Sequence, residues 1–256
     1  MNSFRTAAMF AMLSLVCVSA QGMSSADSAT ASEANLNLGI AYLKNGNLPL
    51  AKEKLERARV QSPRNGQIRG ALALLYARMG DDPKADSEFV NALKFSKNDP
   101  DQQNNYAVFL CSRGRYADGV KTFEQAAANP LYRTPWAAYT NAGVCLRNAK
   151  QEAEAAARFN KALSLRGNYA EAAFQAADLE LTQHRAADAY KRVDAYLAAY
   201  PATADLLFVG WRAAREQNDP VAAFRMARRL QADFSGTEQA RAASASTPGT
   251  SDVNGR

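Results

Sequence analysis

The chain has one histidine, three cysteines and two tryptophans in 256 residues. No Cys-x-x-Cys, His-Glu-x-x-His or glycine-rich phosphate loop occurs in it. The lone histidine, His184, stands in Thr182-Gln183-His184-Arg185 with no serine, cysteine or carboxylate in a nucleophile pattern around it. Triad, metalloprotease and nucleotide-binding chemistries therefore have no residues to run on. We expect no enzyme, no cofactor and no metal, and read His184 as a solvated turn residue. A long hydrophobic run is also lacking: residues 7–18 (AAMFAMLSLVCV) extend over 12 positions, too few for a helix to span a bilayer. The net charge of +6 and pI near 9.3 come without a basic block, because Lys and Arg lie scattered among Asp and Glu. A nucleic-acid partner is not expected from such a distribution. Nothing alternates with period two, so no sheet is expected either.

What is present begins with a leader. Arg5 precedes the apolar run, and Val18-Ser19-Ala20 follows it with small or modest side chains. This order predicts a signal peptide over residues 1–20, cleaved before Gln21. Lipid attachment is the alternative. Cys17 follows Ser14-Leu15-Val16, a poor match because a small residue normally precedes a lipidated cysteine. Val18-Ser19-Ala20 would suit, but position 21 is glutamine and forms no thioether.

The dominant feature is a repeat. From Ser32 the chain carries Leu38-Gly39, Tyr42, Ala51, Leu55, Ala58 and Pro63, and from Gly66 it carries Leu72-Ala73, Tyr76, Ala85, Phe89 and Ala92. Further units open near Pro100 (Tyr106-Ala107, Leu110, Gly119, Phe123, Ala126), Trp136 (Ala142-Gly143, Leu146, Ala155, Phe159, Ala162), Ala170 (Ala176-Ala177, Ala189, Val193, Pro201) and Thr203 (Val209-Gly210, Ala222, Met226). This is the 34-residue tetratricopeptide pattern. Each unit is two antiparallel helices whose shared face cannot be buried alone, so stacked units make one continuous core. The fold expected is all-α, a right-handed superhelical solenoid of six helix pairs over residues 32–240. Asn45-Gly46-Asn47, Gly80-Asp81-Asp82, Arg113-Gly114-Arg115 and Asn218-Asp219-Pro220 mark turns within the pairs, and acids such as Asp81-Asp82 suit the caps of following helices. Residues 21–31 read as a flexible lead-in and 241–256 as a disordered tail, being small and polar.

Residues 104–119 (NNYAVFLCSRGRYADG), 129–149 (NPLYRTPWAAYTNAGVCLRNA) and 154–165 (EAAARFNKALSL) resemble the PilF/PilW family of type IV pilus biogenesis proteins. The resemblance covers most of residues 33–240 and implies a six-repeat pilotin, which brings the pilus secretin to the outer membrane, where it multimerises. The implied location is the periplasm, at the inner face of the outer membrane. The implied partner is the secretin, with membrane association through that partner or a lipid, and a monomeric state is expected. Relatives are normally lipidated, and Gln21 departs from their pattern. A periplasmic repeat scaffold for another envelope assembly is the alternative that the repeats alone leave open.

Cys111 and Cys145 lie 34 residues apart, near the ends of the first helices of adjacent units. Their sulfurs would meet across one interface as a disulfide, or stay as two buried thiols acting as small hydrophobes; the resemblance includes both cysteines. First helices line the concave side, and on or beside that face fall Asn104, Asn105, Val108, Thr140, Asn141, Val144, Arg147 and Asn148. These are the candidate partner-binding residues, since an amide both donates to and accepts from the backbone of an extended peptide. The competing reading is that Asn105 and Asn141 tie neighbouring helices together. Tyr132 and Trp136, at the insertion over residues 131–135, are a second candidate contact, with Trp136 in the core as its alternative.

Overall fold

In the computed structural model of the protein, residues 25–245 are described. The expected leader with its cleavage before Gln21, and the part of the expected tail from residue 246 on, lie outside them. The helices are α1 (Ser25–Lys44), α2 (Leu48–Gln61), α3 (Gly66–Met79), α4 (Asp82–Phe95), α5 (Pro100–Ser112), α6 (Tyr116–Ala128), α7 (Pro135–Asn148), α8 (Glu152–Leu165), α9 (Ala170–Thr182), α10 (Ala186–Ala199), α11 (Ala204–Glu216), α12 (Pro220–Phe234) and α13 (Glu238–Ala245). They form six antiparallel pairs and a closing helix, with no strand among the described residues.

Capping decides where the helices start. The side chains of Asn47, Asn65, Asp81, Asp99, Thr203 and Asp219 accept hydrogen bonds from first-turn amides, which satisfies donors that have no partner inside the helix. Asp81 thus caps α4 as its sequence context predicts. Pro100, Pro135 and Pro220 occupy the first helical position, where a missing N–H costs nothing.

The second helix of each pair buries a narrow stripe: Ala51, Leu55 and Ala58 in α2, Ala85, Phe89 and Ala92 in α4, Gly119, Phe123 and Ala126 in α6, Ala155, Phe159 and Ala162 in α8. The small residues let the helices close together and the large one fills the space between them. At Gly143 the approach is so close that an added Cβ would sit 2.4 Å from Phe159 Cε1.

First helices approach backbone to backbone along the stack, whereas successive second helices meet through long side chains, such as Arg158 of α8 with Glu124 of α6 and Arg225 of α12 with Asp194 of α10. That inequality bends the stack and puts α1, α3, α5, α7, α9 and α11 on its inner layer. The turn inside each pair places one residue in the left-handed region. It is Gly46, Gly80 and Gly114 in the first three pairs, at φ 75–77°, and Lys150, His184 and Asn218 in the last three, at φ 63°, 58° and 56°. His184 is therefore a turn residue, as expected, with its side chain 91% exposed.

Two segment boundaries differ from expectation. The lead-in is helical from Ser25, because Ser28 and Ser32 hydroxyls donate to the Gln61 and Ala58 carbonyls at the end of α2. Residues 241–245 of the expected tail are helical: α13 runs to Ala245, and Ala240 and Ala243 are buried against the last pair, so alanines that look inert in sequence seal the apolar end of the stack. Tyr132 is also not an exposed anchor. It is buried in the core between the third and fourth pairs, and Leu131 is the exposed residue of that insertion, at 83%. Trp136 is half-buried beneath the Arg166 guanidinium, 4.6 Å from the ring centre.

Candidate protein-binding groove

The position facing inward at the middle of each first helix is not used by the packing within a pair. Through the six pairs it reads Ile40, Leu74, Val108, Val144, Asp178 and Arg212. The inner face therefore changes chemistry along the stack. Over α1, α3 and α5 it is a groove of ≈ 690 Å³. Leu36, Ile40, Leu74 and Val108 run along it, Asn37, Gln67, Gln102 and Asn105 stand among them, and Lys44, Arg78 and Arg113 lie at the last turns of the three helices. Leu74 and Val108 are 39% and 47% exposed, and with Ile40 they line one groove, a contiguous apolar patch of the kind that marks interaction sites.

Over α7, α9 and α11 the same face is closed by its own side chains. Asp178 takes Arg147 at 2.8 Å from one side and Arg212 at 3.0 Å from the other. The Gln175 amide oxygen also accepts from Arg147, at 3.4 Å. An incoming peptide would have to displace these bonds, whereas the first three pairs present apolar surface already open.

Of the eight residues expected to bind a partner, the groove gathers Asn105 and Val108. Asn141 donates to the Asn104 amide oxygen at 3.1 Å, so the tie between neighbouring helices exists, made by Asn104 rather than Asn105. Thr140 is 1% exposed and its hydroxyl donates to the Trp136 carbonyl. It is unreachable, because α7 turns this position into the stack. Val144 is half-buried against the fourth pair, Arg147 is held by Asp178, and Asn148 is exposed at the end of α7, outside the groove.

The residues missed by the sequence reading are Leu36, Ile40 and Leu74, with the cations Lys44, Arg78 and Arg113. Their signal was available: apolar side chains recurring every 34 residues at a position outside the repeat's core pattern. Cys111 and Cys145 form a disulfide between α5 and α7, beside the groove's end. Among the described residues no three His, Cys, Asp or Glu side chains gather in a group that could hold a metal. No described helix is long and apolar enough to cross a membrane.

A bent stack of helix pairs with an open inner groove defines a tetratricopeptide-repeat protein. The chain matches no protein-family model. It is 28% identical over 196 residues to the type IV pilus assembly protein PilF of Pseudomonas aeruginosa, covering 76% of this chain and 78% of that one. The solved structure of Pseudomonas aeruginosa PilF superposes with a TM-score of 0.65 at 26% identity, covering 86% of this chain and 99% of PilF. PilW, a type IV pilus biogenesis factor, superposes with the same TM-score and identity over 82% of this chain and 97% of its own. The chain is homologous to PilF and matches the structures of PilF and PilW, type IV pilus biogenesis proteins built from tetratricopeptide repeats.

Proposed function

We propose that the protein is a non-enzymatic adaptor that acts as pilotin for the type IV pilus secretin, binding one of its segments in the groove over α1, α3 and α5. The carrying observation is exposed apolar surface at Leu74 and Val108, in a groove that no described side chain fills. A preformed groove lowers the ordering cost that a flexible segment meets on binding. The face over the last three pairs, tied by Asp178, holds the curvature and presents less to a partner.

The site of action is the periplasm, at the inner face of the outer membrane. A disulfide at Cys111–Cys145 suits that oxidising compartment. Membrane association comes through the secretin or through a lipid.

Deletion in the native host, complemented with the wild type or with Leu74→Glu, tests this reading. Leu74 is partly exposed and the variant should fold. Complementation with Leu74→Glu should leave cells without surface pili and without detergent-resistant secretin multimers. Full pili and multimers with that variant would refute the groove as the working site.

A further inference from the structure

The groove is asymmetric along the helix axes, and its charge says what kind of segment it takes. Lys44, Arg78 and Arg113 stand in one row at the last turns of α1, α3 and α5, and no aspartate or glutamate lines the groove anywhere. On the inner face of the last three pairs the arginines are paired, Arg147 and Arg212 both with Asp178. In the row, only Arg113 has a carboxylate, Asp82 at 2.8 Å. Arg78 donates to the Leu43 carbonyl, and among the described residues no carboxylate lies within ion-pair distance of Arg78 or Lys44, so two cationic charges at this rim are uncompensated there.

A basic residue at a helix C-terminus also meets unpaired terminal carbonyls, and Arg78 and Arg113 each spend one donor on such a carbonyl of the preceding first helix, Leu43 and Ala77. That use explains where the arginines point. It does not explain the missing acids, since a guanidinium carries five donors and keeps its charge.

We infer that the segment bound in this groove is an extended apolar peptide carrying a carboxylate, from an aspartate, a glutamate or a free C-terminus, that meets Lys44 and Arg78. This rests on the groove being the binding site, as proposed above. The apolar side chains of the segment lie on Ile40, Leu74 and Val108. Its carboxylate is positioned at the rim, where the cations favour the charged form and give a charge-assisted hydrogen bond. Asn105 is placed to pair with its backbone. A segment with lysine or arginine at that end is rejected by like charge, so the row sets the direction in which the segment lies.

The experiment uses the full chain and a displayed library of random peptides with free C-termini, selected against the wild type, Leu74→Glu, the double variant Lys44→Glu/Arg78→Glu, and Lys44→Glu alone. Lys44 has no ion pair to lose, so its single variant keeps the test valid if the double variant folds poorly. The wild type should enrich apolar peptides that carry a carboxylate, and Leu74→Glu should enrich none of them. The charge-reversed variants should lose the acidic preference and gain lysine or arginine. An enriched peptide measured by fluorescence anisotropy should bind the charge-reversed protein about tenfold or more weakly, with affinity falling as salt rises. If peptides are enriched through Leu74 but show no acidic preference, or bind the charge-reversed variants equally well, the inference falls and the groove stands. If nothing enriched depends on Leu74, the groove itself falls.

Discussion

Reducing the disulfide is the perturbation with the best-defined magnitude. Cys111 and Cys145 close a loop of 34 residues, which in the chain-entropy account removes about 12 to 13 cal/mol/K from the unfolded chain, or about 3 to 4 kcal/mol at 25 °C. The bridge crosses the seam between the third and fourth pairs, the one lengthened by the insertion at residues 131–135. Cys145 is buried there against the Tyr116 carbonyl, 3.7 Å from its sulfur. The reduced thiols occupy nearly the same volume, so reduction perturbs the native packing little.

Urea unfolding of the oxidised and reduced protein should therefore differ by about 3 to 4 kcal/mol in extrapolated stability, equivalent to roughly 6 to 16 °C in Tm. The comparison must use free energies, since the crosslink also compacts the unfolded chain and lowers the denaturant slope. In a stack where each pair touches only its neighbours the loss should be local. Amide exchange should accelerate most in α5 to α8 and least in α11 to α13. Coincident unfolding within about 1 kcal/mol would refute the entropic reasoning, and uniformly faster exchange would refute the seam as the place where the bridge acts.

Four further outcomes follow from single contacts. Lys150→Gly and His184→Gly, at turn positions where the first three pairs use glycine, should each raise stability in urea by about 0.5 to 1 kcal/mol, the left-handed penalty less glycine's entropy; a decrease would contradict the strain. Gly143→Ala should lower it by about 1 to 3 kcal/mol, because the new methyl meets the Phe159 ring at 2.4 Å. Coupling with Phe159→Ala, measured in a double-mutant cycle, should recover part of that loss. Asp178→Asn leaves Arg147 and Arg212 without their shared carboxylate and should cost about 1 to 3 kcal/mol, while leaving peptide binding over α1, α3 and α5 unchanged in anisotropy. The Glu56 carboxyl is penalised by burial but gains more from the Tyr76 hydroxyl and Arg59, so its pKa lies below 4.5. Its contribution to stability is complete above about pH 4.5 and is lost as pH falls through the lower native value. Tyr76→Phe should shift acid unfolding, followed by circular dichroism, to higher pH.

Much of the fold was legible because each pair repeats one local solution. Ala51, Leu55 and Ala58 recur as Ala85, Phe89 and Ala92, and a repeat whose core positions coincide at every period admits little but a stack of helix hairpins. The turns were legible for the same reason at Gly46, Gly80 and Gly114. Their equivalence with Lys150, His184 and Asn218 was not, since those side chains carry no mark of the left-handed backbone that they adopt.

The candidate site was legible only as a layer. The period alone places Asn104, Asn105, Thr140 and Arg147 on first helices, and no more than that. Whether such a residue is free depends on what the next helix brings against it: Asn141 against Asn104, Asp178 against Arg147, the body of the stack around Thr140. Sequence by itself determined the hairpins, their number and their order, because helix packing within a pair is written in residues a few turns apart. Only the tertiary structure decided which stretch of the inner face stays open, because ion pairs between neighbouring pairs close one half of it while apolar side chains, with nothing to bond, leave the other half to a partner.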